Sequence, residues 1–316
     1  MARTKTVFVF SGQGSHYYRM GQPLFDSDPL FRDHMIRLDT LAHSISGAHV
    51  LDAVFAGNMS DNFNDISLTH PAIFMIEYAL ALRLIASGVV PDAVLGVSLG
   101  TFAAAAIAGC MDEESAMRAV IAQATAFQNN CNPGGMLAIL DTPSLHASEH
   151  FLAHHSELAA VHFNKHFVVA APALELDAIE VELKHRGIAH QRLAVSFAFH
   201  SHWIDDARAT FLNAIHDLIL LPAKVPLVCC ERAGTIIAAM THEDLWGIAR
   251  KPIRFLDTVS QLDGEGPCRY IDVGPSGTMA TFLKYALPAG SASTAHAVLT
   301  PYGQDMRNLT ALLAAR

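Results

Sequence analysis

The stretch Ala93-Val-Leu-Gly-Val-Ser-Leu-Gly-Thr-Phe-Ala-Ala-Ala-Ala-Ile-Ala108 decides the fold. Its first half, Ala93–Val97, is a short apolar run of strand character. It breaks at Ser98-Leu-Gly100, and Thr101–Ala108 continues as an alanine-rich helix. A strand, a sharp turn of small residues and a helix in that order are the mark of an α/β protein. The turn spells G-x-S-x-G from Gly96 to Gly100. Such a turn is too tight for side chains on its flanks, so glycines surround a serine pushed out at the top of a sheet. The following helix aims backbone N–H groups and its positive dipole end at the same point. An oxyanion formed at Ser98 is stabilised there.

Working outward, Thr6-Val-Phe-Val-Phe10 reads as a buried strand followed by the tight loop Ser11-Gly-Gln-Gly-Ser15. Apolar residues recur at helical spacing from Pro71 to about Ala86. Past Asn129 the texture changes. A turn cluster, Asn129-Asn-Cys-Asn-Pro-Gly-Gly135, precedes a strand (136–140), a helix (144–154), two strands around 160–170, a helix (176–186) and a strand (192–196). That β-α-β-β-α-β order is ferredoxin-like. The expected organisation is a large α/β domain from residues 1–130 and 197–316, with a small ferredoxin-like domain inserted at 131–196.

Bulk properties agree. In 316 residues, 51% are apolar and 16% charged, ample for a buried core and unlike a disordered chain. The net charge of −9 repels phosphate backbones, so no nucleic-acid partner is expected. Five cysteines without a C-x-x-C pair fit reduced thiols in the cytoplasm. The run Thr6–Phe10 is too short for the apolar core of a signal peptide. The greasy stretch Pro71–Pro91 carries Glu77 and Arg83 and is expected to be a core helix, with no membrane contact. Gly-Gln-Gly lacks the third glycine of a dinucleotide fingerprint, and no metal site is implied.

A serine hydroxyl needs a base. Among eighteen histidines, His200 is set apart by its surroundings, Ser196-Phe-Ala-Phe-His-Ser201, where the chain returns from the small domain. A base there faces Ser98 across an interdomain cleft. His146, His150 and His154 recur every four residues and read as one solvated helix face. His162 and His166 fall in strand and turn, where that spacing has no special geometry.

The chain resembles the malonyl-CoA:acyl carrier protein transacylase family, including the acyltransferases of polyketide synthases. The pieces come in family order: Phe8-Val-Phe-Ser-Gly-Gln-Gly-Ser15, Leu68-Thr-His-Pro-Ala72, Gly96-Val-Ser-Leu-Gly100, Ala198-Phe-His-Ser201 and Asp272-Val-Gly-Pro275. The resemblance implies an α/β-hydrolase-like core with a parallel sheet plus the inserted ferredoxin-like domain. It implies Ser98 as nucleophile, His200 as base, and the backbone N–H groups of Gln13 and Leu99 as oxyanion hole. A backbone carbonyl is expected to orient the histidine, near Val228-Cys-Cys230, with Asp272 as the acidic alternative.

Departures from the family pattern bear on the substrate. Malonyl-specific members carry an arginine, in the helix after the nucleophile, that pairs with the acyl carboxylate; the aligned residue here is Gln123. Losing one partner of a buried ion pair costs roughly 3–5 kcal/mol. Arg118, five residues away, points about 140° from Gln123 on a helix and is a poor substitute. Val97 and Phe197 stand where relatives often have histidine. With Phe199 they suit a monocarboxylic acyl chain, which gains about 0.8 kcal/mol per buried CH₂.

These departures resemble the stand-alone acyl hydrolases of trans-acyltransferase polyketide pathways. The function so implied is release of acyl groups from an acyl carrier protein through acyl-Ser98. The phosphopantetheine arm of the carrier, or CoA, is then part of the substrate, and no bound cofactor is needed. A trans-acting acyltransferase shares every catalytic residue and is the alternative. An ordinary α/β-hydrolase esterase, with its histidine near the C-terminus, and a non-catalytic docking module with a broken dyad fit less well. For docking of an acidic carrier, Lys251 and Arg254, or Lys165, Lys184 and Arg186, are the basic candidates.

Overall fold

A computed structural model describes residues 3–236 and 238–315. The strands are β1 (Lys5–Phe10), β2 (Ala93–Gly96), β3 (Gly134–Ile139), β4 (Glu157–Phe163), β5 (His166–Pro172), β6 (His190–Arg192), β7 (Leu227–Cys229), β8 (Gly234–Ile236), β9 (Ile253–Arg254), β10 (Cys268–Asp272) and β11 (Thr294–Ala297). They form two sheets. The larger has the order β11-β10-β1-β2-β7-β8. Its first five strands run parallel, and β8 is an antiparallel edge. Val7, Phe8, Val9 and Phe10 are all fully buried, as a central parallel strand covered on both faces requires.

From β1 the chain first steps to β2 and β7 on one side, and later to β10 and β11 on the other. In open parallel sheets such a switch leaves a crevice at the carboxyl ends of the diverging strands, where ligands bind. The loops leaving β1 and β2 there are Ser11–Ser15 and the Ser98 turn.

The second sheet has the order β6-β3-β5-β4-β9. Its first four strands are antiparallel, in the ferredoxin-like arrangement of β-α-β-β-α-β units. The fifth, β9, pairs in parallel with β4 through Ala160↔Ile253 and Val161↔Arg254. It comes from the stretch that the sequence reading gave to the large domain. The small sheet has a core of its own, with Leu137, Ile139, Phe167, Val169, Leu176, Ile179 and Leu183 buried together.

Several elements differ from expectation. The helix expected from Pro71 begins at Ile66, capped by the Asp65 side chain, which accepts from the Ser67 N–H, and it contains Pro71. It runs to Ala86 and is mostly buried inside the protein, the position of a core helix. The helix expected over 144–154 is two pieces, Ser144–Ser148 and His150–Ala153, interrupted at Glu149 in extended backbone. The break separates His146, which bonds the Ser156 carbonyl, from His150 and His154, whose rings stack. The last strand of the small sheet lies at 190–192, not at 192–196. All five cysteines are free thiols.

Candidate active site

Ser98 and His200 meet. Ser98 Oγ lies 2.9 Å from His200 Nε2. Both residues have left-handed backbone, with φ of 51° and 63°, a conformation unusual for residues other than glycine and often found at functional sites. The turn at Ser98 is possible because its neighbours lack side chains. A methyl group on Gly100 would come within 2.2 Å of the Ser11 carbonyl oxygen, and one on Gly96 within 2.5 Å of the Thr101 Cα. Close approach of backbones therefore demands both glycines of the motif. Gly12 adds a third, since its methyl would lie 2.9 Å from Ser98 Cβ.

His200 Nδ1 donates to the Lys251 carbonyl at 2.7 Å, and the His200 N–H donates to the Ala249 carbonyl at 2.8 Å. A proton on Nδ1 leaves the Nε2 lone pair facing the serine hydroxyl, the tautomer a general base needs. The orienting carbonyl belongs to Lys251, not to the Val228–Cys230 segment. Asp272 does not reach the imidazole either. It is buried, its carboxylate accepts from the Gly274 and Ala280 N–H groups, and burial raises its pKa to about 6. Burial lowers the pKa of His200 to about 4, opposed by the Lys251 hydrogen bond, so the imidazole is neutral near pH 7.

The loop after β1 is pinned from beneath. The Ser11 N–H and hydroxyl both donate to Glu77 Oε1, at 2.6 and 2.7 Å, and the Gln13 side chain donates to Thr69 Oγ1 at 2.8 Å. Glu77 is fully buried, and desolvation raises its pKa well above the usual carboxylate range. Its anchoring role was not legible in the sequence beyond an acidic residue in a greasy run. Among the described residues, neither the Gln13 nor the Leu99 N–H is used in a backbone hydrogen bond outside helices and strands. Leu99 is the N-cap of the helix Gly100–Ile107.

The dyad opens into a cleft of about 340 Å³ between the two sheets. Gln13, Val97, Ser98, Phe199 and His200 line it from the large domain, and Met136, Ala138, Ala160, His162, His166 and Val168 from the small one. Two sequence candidates lie outside it. Phe197 packs among Phe127 and Phe199, and Gln123 is only 2% exposed on the same helix as Phe127, one turn earlier. Phe127 and Phe199 meet edge to face, with His70 against both rings. The Gln123 amide nitrogen and His70 Nδ1 are buried without a hydrogen-bond partner. Burial lowers the pKa of His70 to about 3. Arg118 is on the outside, bonded to both carboxylate oxygens of Asp217 at 3.0 Å.

His162 and His166, given no special geometry by their spacing in the sequence, come together at the cleft. Their Nδ1 atoms are 3.2 Å apart, and both side chains face the cleft. The cause is a bulge. Phe163 pairs with His166 but Val161 pairs with Phe167, so His162 is the extra residue and turns to the same side as His166. The two-residue Asn164-Lys165 link between apolar runs was the available signal for the hairpin. Among the basic docking candidates, Lys251 pairs with Glu231, Arg254 with Asp257, and Arg186 with Glu149 and Glu182. Among the described residues no group of three or more His, Cys, Asp or Glu is placed to hold a metal ion.

A sequence profile described as "Acyl transferase domain" matches residues 7–316. The chain belongs to the acyl transferase family. The polyketide biosynthesis acyltransferase homolog PksD of Bacillus subtilis is 38% identical over 305 residues, covering 96% of this chain and 94% of that protein. The homolog BaeD of Bacillus velezensis is 40% identical with the same coverage. Among solved structures, the acyltransferase domain from module 8 of the salinomycin polyketide synthase superposes with a TM-score of 0.90 at 25% identity, over 98% of this chain and 74% of that one. The MCAT of Streptococcus pneumoniae shares the fold, with a TM-score of 0.80 at 24% identity over 99% of this chain and all of that one. This member of the acyl transferase family thus has the α/β-hydrolase-like core and small domain of polyketide synthase acyltransferase domains.

Proposed function

We propose that the chain is a cytoplasmic acyl hydrolase that clears monocarboxylic acyl groups from acyl carrier proteins of a polyketide synthase. The observation that carries this reading is the charge of the cleft. Among the described residues, no lysine or arginine lines it, and the position of the family's carboxylate-binding arginine is Gln123. A dicarboxylic acyl group entering this cleft loses its hydration and meets no counter-charge. An acetyl or butyryl group meets Val97, Phe199 and Met136 without that penalty.

In the proposed cycle His200 Nε2 takes the Ser98 proton as Oγ attacks the thioester carbon. The Gln13 and Leu99 N–H groups hold the oxyanion, and the Ser11–Glu77 bonds keep the first of them in place. The protonated imidazole gives its proton to the departing thiolate of the phosphopantetheine arm, leaving acyl-Ser98. Water then attacks with His200 again as base, and the free acid departs. The substrate carries the pantetheine arm, and no bound cofactor enters the cycle.

A trans-acting acyltransferase is the second reading, favoured by the names of PksD and BaeD as acyltransferase homologs. It runs the same first half and gives acyl-Ser98 to a second carrier thiol. Acetyl-, butyryl- and malonyl-carrier protein, each followed by mass spectrometry with and without an acceptor carrier, separates the two. Free acid from acetyl- and butyryl-carrier protein without an acceptor is the expected outcome. A persistent acyl-Ser98 that discharges only onto the acceptor, or preferred loading of malonyl, overturns the hydrolase reading.

A further inference from the structure

We propose that the His162–His166 pair anchors the water that discharges acyl-Ser98, and so sets the balance between hydrolysis and transfer. The inference rests on the hydrolase reading and concerns the same cleft. Apart from the dyad and the loop after β1, the walls are largely apolar, and the polar side chains on them are His162, His166, Gln191 and Thr278. A water molecule held in a confined space needs two to four polar partners. After the thiol leaves, His200 Nε2 supplies one. Of the rest, the His162–His166 pair is the one whose two rings fix each other's donor and acceptor roles.

The tautomers of the pair follow from its own hydrogen bond. With Nδ1 facing Nδ1 at 3.2 Å, one ring must donate and the other accept. The donating ring then has a lone pair at Nε2, and the accepting ring has an N–H at Nε2. Among the described residues neither Nε2 has a protein partner. Both rings stay neutral, because burial depresses their pKa values, and for His162 the neighbouring His166 and His200 act in the same direction. The wall that the small domain gives to this cleft therefore carries one acceptor and one donor. Phe282 packs on both rings at 4.4 and 5.0 Å between centroids and holds them in place.

The step balances without a further reagent. The anchored water gives one proton to His200 Nε2 as its oxygen bonds to the acyl carbon. The tetrahedral intermediate collapses, the bond from carbon to Ser98 Oγ breaks, and His200 returns the proton to Oγ. The products are the free acid and the resting serine.

The test is the partition of a preformed acetyl-enzyme between water and a thiol acceptor, N-acetylcysteamine, at fixed concentration. For His162→Phe and, separately, His166→Phe, the ratio of acetate to transferred thioester is expected to fall about tenfold, the worth of one hydrogen bond to the attacking water. His162→Asn, which keeps polar atoms at the site, is expected to recover much of the ratio. Burst acylation by p-nitrophenyl acetate reports whether each variant is folded and loaded. His166 is the less buried of the two and serves where His162→Phe does not fold. A wild-type ratio in both loaded phenylalanine variants overturns this inference alone. A wild-type protein that releases no acetate overturns the hydrolase reading and this inference with it.

Discussion

The reacting atoms of the dyad are all partnered: Ser98 Oγ with His200 Nε2, and His200 Nδ1 with the Lys251 carbonyl. Beside Phe127 the opposite holds. There the Gln123 amide nitrogen and His70 Nδ1 are buried with none. A buried polar atom without a partner costs on the order of 1–3 kcal/mol. The chain thus pairs the reacting atoms and leaves buried polar atoms unpaired beside them.

The largest expected effect is at the paired end. Ser98→Ala removes the hydroxyl bonded to His200 Nε2, and acyl-carrier turnover is expected to fall by about 10⁴-fold or more, read as loss of the acyl-enzyme mass. Residual turnover near the wild-type rate would show that the reaction does not pass through Ser98. Next comes the backbone that shapes this end. Gly100→Ala sets a methyl against the Ser11 carbonyl and is expected to cost more than about 3 kcal/mol in urea unfolding. Gly47→Ala, equally a glycine replacement but with open space around it and φ of 75°, is expected to cost about 1–2 kcal/mol from backbone strain alone. Equal costs would mean that the close approach at the turn is soft.

The unpaired end is probed by Gln123→Arg. A guanidinium there gives a dicarboxylic group its missing partner, and malonyl loading of Ser98 relative to acetyl is expected to rise about tenfold or more. No gain would place Gln123 away from the bound acyl group. The mildest effect is the pH dependence. His200, held at about 4, and His70, at about 3, both lie below the ordinary histidine value of 6.5. The unfolded chain takes up protons there that the folded chain refuses. Stability is therefore full above about pH 6.5 and falls as pH drops toward 4. The acid limb of the acylation rate follows His200 alone and is expected near pH 4. His70→Leu should flatten the stability loss without moving that limb; a shifted limb would couple the two regions.

The strand, serine turn and helix were legible because a parallel strand and a glycine-bracketed turn leave marks in residue type. So were the ferredoxin-like insertion and the His200 return. The Lys251 carbonyl was not, since any residue supplies a backbone oxygen and the side chain says nothing of it. Nor was the His162–His166 pair: a regular hairpin puts residues 162 and 166 on opposite faces, and only the bulge turns them together. The packing on Phe127 was missed for a related reason. Helical periodicity shows that Gln123 and Phe127 share a face, but not that Phe197 and Phe199 from a different segment pack against Phe127.

The Lys251 carbonyl lies two residues before β9, and β9 is stitched to the small sheet at Ile253 and Arg254 while the Arg254 N–H holds the Cys230 carbonyl beside the large one. One short splice thus fastens both lobes and steers the imidazole. Prising the lobes apart would pull on the carbonyl that aims the imidazole, so the spacing of the lobes and the direction of the base are set by the same few residues.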